Sequence, residues 1–235
     1  MAAFDFDGTL TDGGSVWRFL SALRGRPRVL AAGVALAPLM VRAALFGGPA
    51  SDVAKEALFR RTLAGLDAAD VTARAATFGR AHYARRARIE MRARLDWHQR
   101  QGHRIVIVSA SPEYYVKPVG EDLGVDGVVA TRLEVDADGR LTGRFEGANC
   151  RAEQKRDRLE QWLEASQRRA SDGVGARVGD AARAEGERPF VWAYGNSAGD
   201  RAMLEAADIG VDAGRLGRWG KLRGFRRIGD VLTAW

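Results

Sequence analysis

The sequence predicts an α/β protein: a parallel sheet covered by helices on both faces, with a block of helices inserted after the first strand. Three observations carry this. In the second half of the chain, short β-branched apolar runs alternate with helical stretches. Between the first such run and the rest, residues 15 to 100 read as almost continuous helix. Each notable polar cluster directly follows an apolar run, at the carboxyl end where such sheets bind ligands. The expected division is a sheet core from 1–12 and 102–235, with a helical cap from 13–101.

Taken in order, Phe4 to Phe6 continues a short apolar strand that ends in the turn residues Gly8-Thr9. In the helical block, Trp17, Phe19, Leu20 and Leu23 recur at helical spacing, as do Val53, Ala57, Leu58 and Leu63. Pro27, Gly47-Gly48-Pro49 and Gly65 punctuate it. Arg104 to Ser109 is a β-branched run of the fully buried, parallel-sheet type. A helix over Pro112 to Leu123 and a strand around Val128-Val129 follow. Leu133 to Phe145 reads as a hairpin turning at Asp138-Gly139. Then come a helix from Ala152 to Leu163, a mobile Gly/Arg/Ser-rich loop from Ser166 to Arg188, a strand over Phe190 to Tyr194, a helix over Ala198 to Ala206 and a last strand over Ile209 to Val211.

The chain of 235 residues is 46% hydrophobic, enough for a packed core and too apolar for a disordered chain. Its one cysteine, Cys150, excludes an internal disulfide and suits a reducing, cytoplasmic setting, and the N-terminus lacks the pattern of a secretory signal. The net charge of +7 invites nucleic acid, a membrane surface or anionic substrates as partners. It is unevenly spread: residues 13–101 hold 16 Lys/Arg against 6 Asp/Glu, and the remainder 21 against 24. A basic helical block beside a mildly acidic remainder weakens the reading of a generally basic, nucleic-acid-binding surface. The runs Arg85-Arg86-Ala-Arg88 and Arg223 to Arg227 motivate a rival reading as a nucleic-acid-binding protein, but no groove-reading motif accompanies them. The longest apolar run, Val29 to Phe46, is too broken and Ala-rich to span a membrane. Its plainer reading is a buried pair of helices meeting near Pro38; flanked by Arg24, Arg26 and Arg28, it also reads as a segment touching an anionic membrane surface.

Four clusters offer chemistry. Asp5-Phe-Asp7-Gly-Thr-Leu-Thr places two carboxylates at a strand end, one to attack phosphorus or hold a metal and one to move protons, or simply a solvated turn. It is not an EF-hand, which would need Gly at Leu10 and Glu at Val16. Val106 to Pro112 carries Ser109 and backbone N–H groups ahead of a helix, an anion-binding end or an ordinary Ser cap. Lys155 lies near the start of a helix, where a lysine is usually solvated. Gly195-Asn196-Ser197-Ala198-Gly199-Asp200 offers oxygen ligands for a hard cation, or helix caps.

In order and context, the four together resemble the haloacid dehalogenase superfamily, in its phosphoserine-phosphatase-like branch (subfamily IB) with a helical cap on a Rossmann-like core. The resemblance spans residues 3 to 212. It implies a Mg²⁺-dependent phosphatase in which Asp5 attacks the phosphoryl group and Asp7 acts as general acid and base. It further implies that Ser109, the N–H of Ala110 and Lys155 bind phosphoryl oxygens, and that Asp5, the carbonyl of Asp7, Asn196 and Asp200 serve the metal. Two positions depart from the pattern. Asn196 stands where the family usually has Asp, leaving open whether Asn196 or Asp200 ligates directly. Gly14 stands where phosphoserine-specific relatives carry a Glu for the substrate's amino group. The expected substrate is therefore a small or lipid-like phosphate ester; transfer to an acceptor other than water is a further alternative.

Overall fold

Met1 to Phe4 is a run of four buried apolar residues, and it lies at the centre of the sheet. The computed structural model describes residues 1–171, 188–214, 222 and 224–232. After β1 (Ala2–Phe4) come α1 (Val16–Arg24), α2 (Arg26–Ala35), α3 (Ala37–Phe46), α4 (Gly48–Leu63), α5 (Ala68–Arg86) and α6 (Ile89–Arg100). The chain continues through β2 (Ile105–Pro112), α7 (Glu113–Asp122), β3 (Gly127–Thr131), β4 (Leu133–Val135), β5 (Leu141–Phe145) and α8 (Glu153–Ser171). Then follow β6 (Trp192–Gly195), a 3-10 turn (Ala198–Asp200), α9 (Arg201–Ala206), β7 (Ile209–Asp212), β8 (Arg226–Arg227) and α10 (Ile228–Leu232).

The sheet runs β3-β2-β1-β6-β7-β8 and every pairing is parallel. This is the Rossmann-like α/β arrangement expected. The order reverses at β1, whose neighbours β2 and β6 are far apart in sequence, so a crevice opens beyond the carboxyl end of β1. Alternation of side chains sorts the core into two layers. Phe4, Ile105, Ile107 and Tyr194 share one cluster, with residues of α5 and α7; Ala3, Val106, Val108 and Ala193 share the other, with α8 and α9. Helix α6 packs directly on the first face: the His98 ring meets the Phe4 ring edge-on at 5.8 Å, and Arg94 Nε donates to the Tyr194 hydroxyl at 2.6 Å.

Several boundaries differ from expectation. The first strand ends at Phe4 rather than Phe6, because the chain folds back at once, with Thr9 and Thr11 N–H groups donating to the Phe6 carbonyl. Ser109 does not cap α7: β2 continues to Pro112, and the Ser109 hydroxyl accepts instead from the N–H of Ser111 at 3.0 Å. Helix α8 runs on to Ser171, through the start of the expected loop, since Gln and Arg sustain helix where no Gly or Pro intervenes. The remainder of that loop, 172–187, lies outside the described residues. Asp136 supports the hairpin turn by accepting from the N–H groups of Asp138 and Arg140, and Gly139 takes φ +76 there.

The apolar run Val29–Phe46 is the largest correction. Its two helices meet near Pro38, as expected, but the pair is not buried. On α2 only Val29 and Ala32 enter the core, and α3 has no buried residue. The Arg85–Arg88 run is likewise divided. Arg88 is buried, and its Nη1 donates to the carbonyls of Gly8 and Ala213 at 2.6 Å each, so it braces the first loop rather than forming a surface patch.

Candidate active site

Asp5 is the first residue beyond β1, and its N–H still donates to Tyr194 on β6 at 2.9 Å, which fixes the backbone at the crevice. The loop then turns tightly, with the Gly8 N–H donating to the Thr11 carbonyl at 2.8 Å. Gly8 has φ +84, and a Cβ there would land on the Asn196 amide, so both the turn and the close approach require glycine. This turn points Asp5 and Asp7 into the same buried space. Thr9 Oγ1 donates to Asp5 Oδ2 at 2.9 Å. Asp7 Oδ2 accepts from Ser15 Oγ at 2.8 Å and Ser111 Oγ at 2.5 Å, and the Tyr115 hydroxyl lies 2.7 Å from Ser15 Oγ.

Lys155 is fully buried from the first turn of α8, and its Nζ is 2.5 Å from both Asp5 Oδ1 and Asp200 Oδ1. An ammonium between two carboxylates holds its proton tightly, so despite burial its pKa is raised by Asp200 and Asp5. Asp200 is spent on structure: Oδ2 accepts from the N–H groups of Asn196 and Ser197 and from Ser197 Oγ, closing the turn after β6. Although burial opposes it, Lys155 and Ser197 keep Asp200 ionised and its pKa low. Burial pushes Asp5 the other way, and the neighbouring Asp200 charge adds to the rise. Burial also raises Asp7, against the hydrogen bonds from Ser111 and Ser15.

The structure adds residues that the motifs did not reveal. Lys55 reaches in from α4, its Nζ 2.5 Å from the Ala110 carbonyl and 2.9 Å from Asn149 Oδ1. Asn149 donates in turn to Asp52 at 2.6 Å, and Thr131 Oγ1 lies 2.7 Å from the same Ala110 carbonyl. Burial lowers Lys55 to about 8, with Asp7 and Asp52 opposing the drop. Ser109, Ala110 and Lys155 thus come to one crevice with Asp5 and Asp7, joined by Ser15, Lys55, Ser111, Tyr115, Thr131 and Asn149. One signal in the composition marks Lys55: the chain has only four lysines among its 37 basic residues, and two of them, 55 and 155, are in this site.

A hard cation fits one corner. The Asn196 side-chain amide lies against Asp5 and Asp7, its nitrogen placed to donate to Asp5 Oδ2 at 3.2 Å and to the Asp7 carbonyl at 3.0 Å. With the amide turned, its oxygen would join the Asp5 carboxylate and the Asp7 carbonyl in an oxygen donor set that suits a hard cation. Among the described residues no three His, Cys, Asp or Glu side chains gather as a metal site, and here the donors are one carboxylate, one amide and one backbone carbonyl. Asp200 has Oδ1 on Lys155 and Oδ2 in the turn after β6.

A model of the haloacid dehalogenase-like hydrolase family matches residues 2–205. The chain belongs to that family. Among curated relatives it is similar to Protein CicA of Caulobacter vibrioides, 33% identical over 88% of this chain and 83% of that one. A phosphoserine phosphatase of Archaeoglobus fulgidus is 32% identical over 47% of this chain and 26% of its own. A Bordetella pertussis Tohama I protein of unknown function has a similar structure, with TM-score 0.73 and 25% identity over 97% of this chain and 96% of that chain. A phosphoserine phosphatase holding a phospho-aspartyl intermediate analogue shares the fold at TM-score 0.58 and 20% identity, over 99% and 97% of the two chains. The chain is thus a haloacid dehalogenase-like hydrolase, and the phosphoserine phosphatases are proteins to which it is similar in part of its sequence and in fold.

Proposed function

We propose that the chain is a Mg²⁺-dependent phosphomonoesterase that works through an aspartyl-phosphate on Asp5. The observation that carries this reading is the pairing of two buried carboxylates at the switch point. Asp5 is oriented by Lys155 and Thr9, while Asp7 has one oxygen, Oδ1, with no hydrogen-bond partner among the described residues. An oxygen of Asp5 forms a bond to phosphorus while the ester P–O bond breaks, and Asp7 gives its proton to the leaving oxygen. Asp7 then takes a proton from the water that attacks phosphorus, and Asp5 is released with inorganic phosphate. Asp7 needs its raised pKa for the first half, because a carboxyl ionised at every working pH has no proton to give.

Lys155 and Lys55 provide positive charge for the phosphoryl oxygens, with Ser109 and the N–H of Ala110 completing the cradle. Asp5, the Asp7 carbonyl and Asn196 would hold the cation, and Asp200 would serve it indirectly by fixing Lys155 and the Asn196 turn. When bound, Mg²⁺ offsets the negative charge of Asp5 and of the phosphate. In this reading the cap is 13–101 on a core of 1–12 and 102–235, with the cap's last helix, α6, seated on the sheet where Arg94 and His98 meet Tyr194.

The substrate in this reading is a small or lipid-like phosphate ester. At Gly14 no atom would lie within 4 Å of an added Cβ, so there is room but no carboxylate for a substrate ammonium, which argues against phosphoserine. The buried Cys150 thiol favours a reducing, cytoplasmic setting. The test is hydrolysis of p-nitrophenyl phosphate with and without Mg²⁺. Asp5→Asn should lose all turnover; turnover at the wild-type rate would overturn the mechanism.

A further inference from the structure

Helices α2 and α3 carry exposed apolar residues that no described part of the molecule covers. Leu30 is 63% exposed and Val34 75% on α2; on α3, Leu45 is 73% and Phe46 76% exposed. Leu30 and Val34 are one turn apart, as are Val41 and Leu45, so each helix shows an apolar stripe to solvent. A helix as apolar as α3 belongs in a core or in lipid, yet α3 has no buried residue.

Charge says what covers it. From Gly13 to Ser51 the chain has no Asp or Glu, while Arg26, Arg28 and Arg42 are exposed and make no ion pair among the described residues. A second copy of the chain would set these arginines against one another across a two-fold axis, with no acid in the segment to offset them. An anionic surface with an apolar interior satisfies both features. The geometry limits the depth. Each helix has ten residues, about 15 Å, and the pair bends by 73° at Leu36, so neither arm crosses a bilayer. Among the described residues no single helix is long and apolar enough to do so.

We propose that α2 and α3 form a bent wedge that docks the protein onto an anionic lipid bilayer. Leu30, Val34, Val41, Leu45 and Phe46 enter the boundary between headgroups and acyl chains, and Arg26, Arg28 and Arg42 meet the lipid phosphates. This rests on exposure and charge alone and is independent of the reading of the active site. Packing of α3 on α4 would place the cap helix that carries Lys55 next to the lipid surface.

The full-length protein should co-sediment with phosphatidylcholine–phosphatidylglycerol vesicles, weakly with phosphatidylcholine alone, and less as salt is raised. The variants V34D/L45D and R26E/R28E/R42E should each lose at least about tenfold in partitioning. Both should keep the wild-type melting temperature and the wild-type rate on p-nitrophenyl phosphate. Failure of the wild type to pellet with anionic vesicles would overturn the proposal, as would equal binding to neutral ones. So would a wild-type dimer in light scattering that V34D/L45D makes monomeric without any vesicle binding, since the face would then cover a second copy.

Discussion

Ser111 gives Asp7 its shortest hydrogen bond, 2.5 Å to Oδ2, and Asp7 Oδ1 is left buried with no partner among the described residues. One half of the carboxyl is therefore held by hydroxyls and the other half is free to carry a proton. A buried acceptor with nothing to accept is costly in a folded protein, and its persistence here fits a group whose partner is the reacting oxygen.

Removing Ser111 tests this division. Ser111→Ala deletes a hydrogen bond that favours the ionised form of Asp7, so the Asp7 pKa moves further up. The limb of the pH profile at which Asp7 loses its proton shifts to higher pH, and kcat falls about tenfold as the carboxyl loses its orientation. A pH–rate profile on p-nitrophenyl phosphate reads both.

Lys55 leaves a thermodynamic signature. In the fold it titrates near 8, and its ordinary value is 10.5. Between these values the unfolded chain binds a proton that the folded chain does not, so stability rises with pH across this window. Lys55→Met removes the dependence. Relative to that variant, wild-type stability should rise by about 3 kcal/mol between pH 8 and 10.5, measured by urea denaturation. The same variant should lose about tenfold or more in kcat/KM at pH 7, since in the proposed mechanism Lys55 supplies charge for the phosphoryl oxygens.

Asn196→Asp adds a charge beside Asp5 Oδ2 and the Asp7 carbonyl. Without a cation this crowds like charges and lowers the melting temperature. With Mg²⁺ the added charge tightens the site, and the concentration giving half-maximal activity should drop roughly tenfold. Chelation by EDTA should abolish turnover in both proteins.

His98 makes the fold acid-sensitive. Burial, with Arg94 and His103 adding to it, pushes the ring down to about 2, far below its ordinary 6.5. It stays neutral in the fold, its Nε2 2.9 Å from the Tyr194 hydroxyl. As pH falls through 6.5 the unfolded chain gains a proton that the folded one refuses, so stability is full above 6.5 and falls below it. Between pH 6.5 and 5 the loss should be about 2 kcal/mol more in wild type than in His98→Gln.

Asp5, Asp7, Ser109 and Asn196 are marked in the sequence by the apolar runs that end just before them, whereas Lys155 stands out only through the family resemblance, because a lysine near a helix start is ordinarily solvated. Ser15, Lys55, Ser111, Tyr115, Thr131 and Asn149 are not marked. Each is an ordinary residue in its own segment, and only the packing of α1, α4 and α7 around the crevice brings them to Asp7 and Ala110. Asp200 was legible as a site residue but its task was not, since its pairing with Lys155 spans 45 positions. Periodicity also failed at α3. A helix whose single charge is Arg42 gives little clue to which side faces the core, and the expected burial of the pair is not what the fold shows.

The hairpin has a mechanical consequence. Its strand β5 is laced to the loop after α4: the Gly65 N–H donates to the Leu141 carbonyl, the Leu141 N–H to Leu66, and the Ala68 N–H to Gly139, all within 2.9 Å. Gly143, at φ +78, lies so close to the backbone of Arg60 that a side chain would not fit between them. Backbone pairing thus joins the hairpin to the end of α4, the helix that carries Lys55. The feet of the hairpin are Thr131 and Asn149, which hydrogen-bond to each other at 2.8 Å and to Ala110 and Lys55 in the crevice. The base of the hairpin is therefore hydrogen-bonded into the crevice, so in the proposed mechanism a phosphate held by Lys55 would bear on cap and hairpin together.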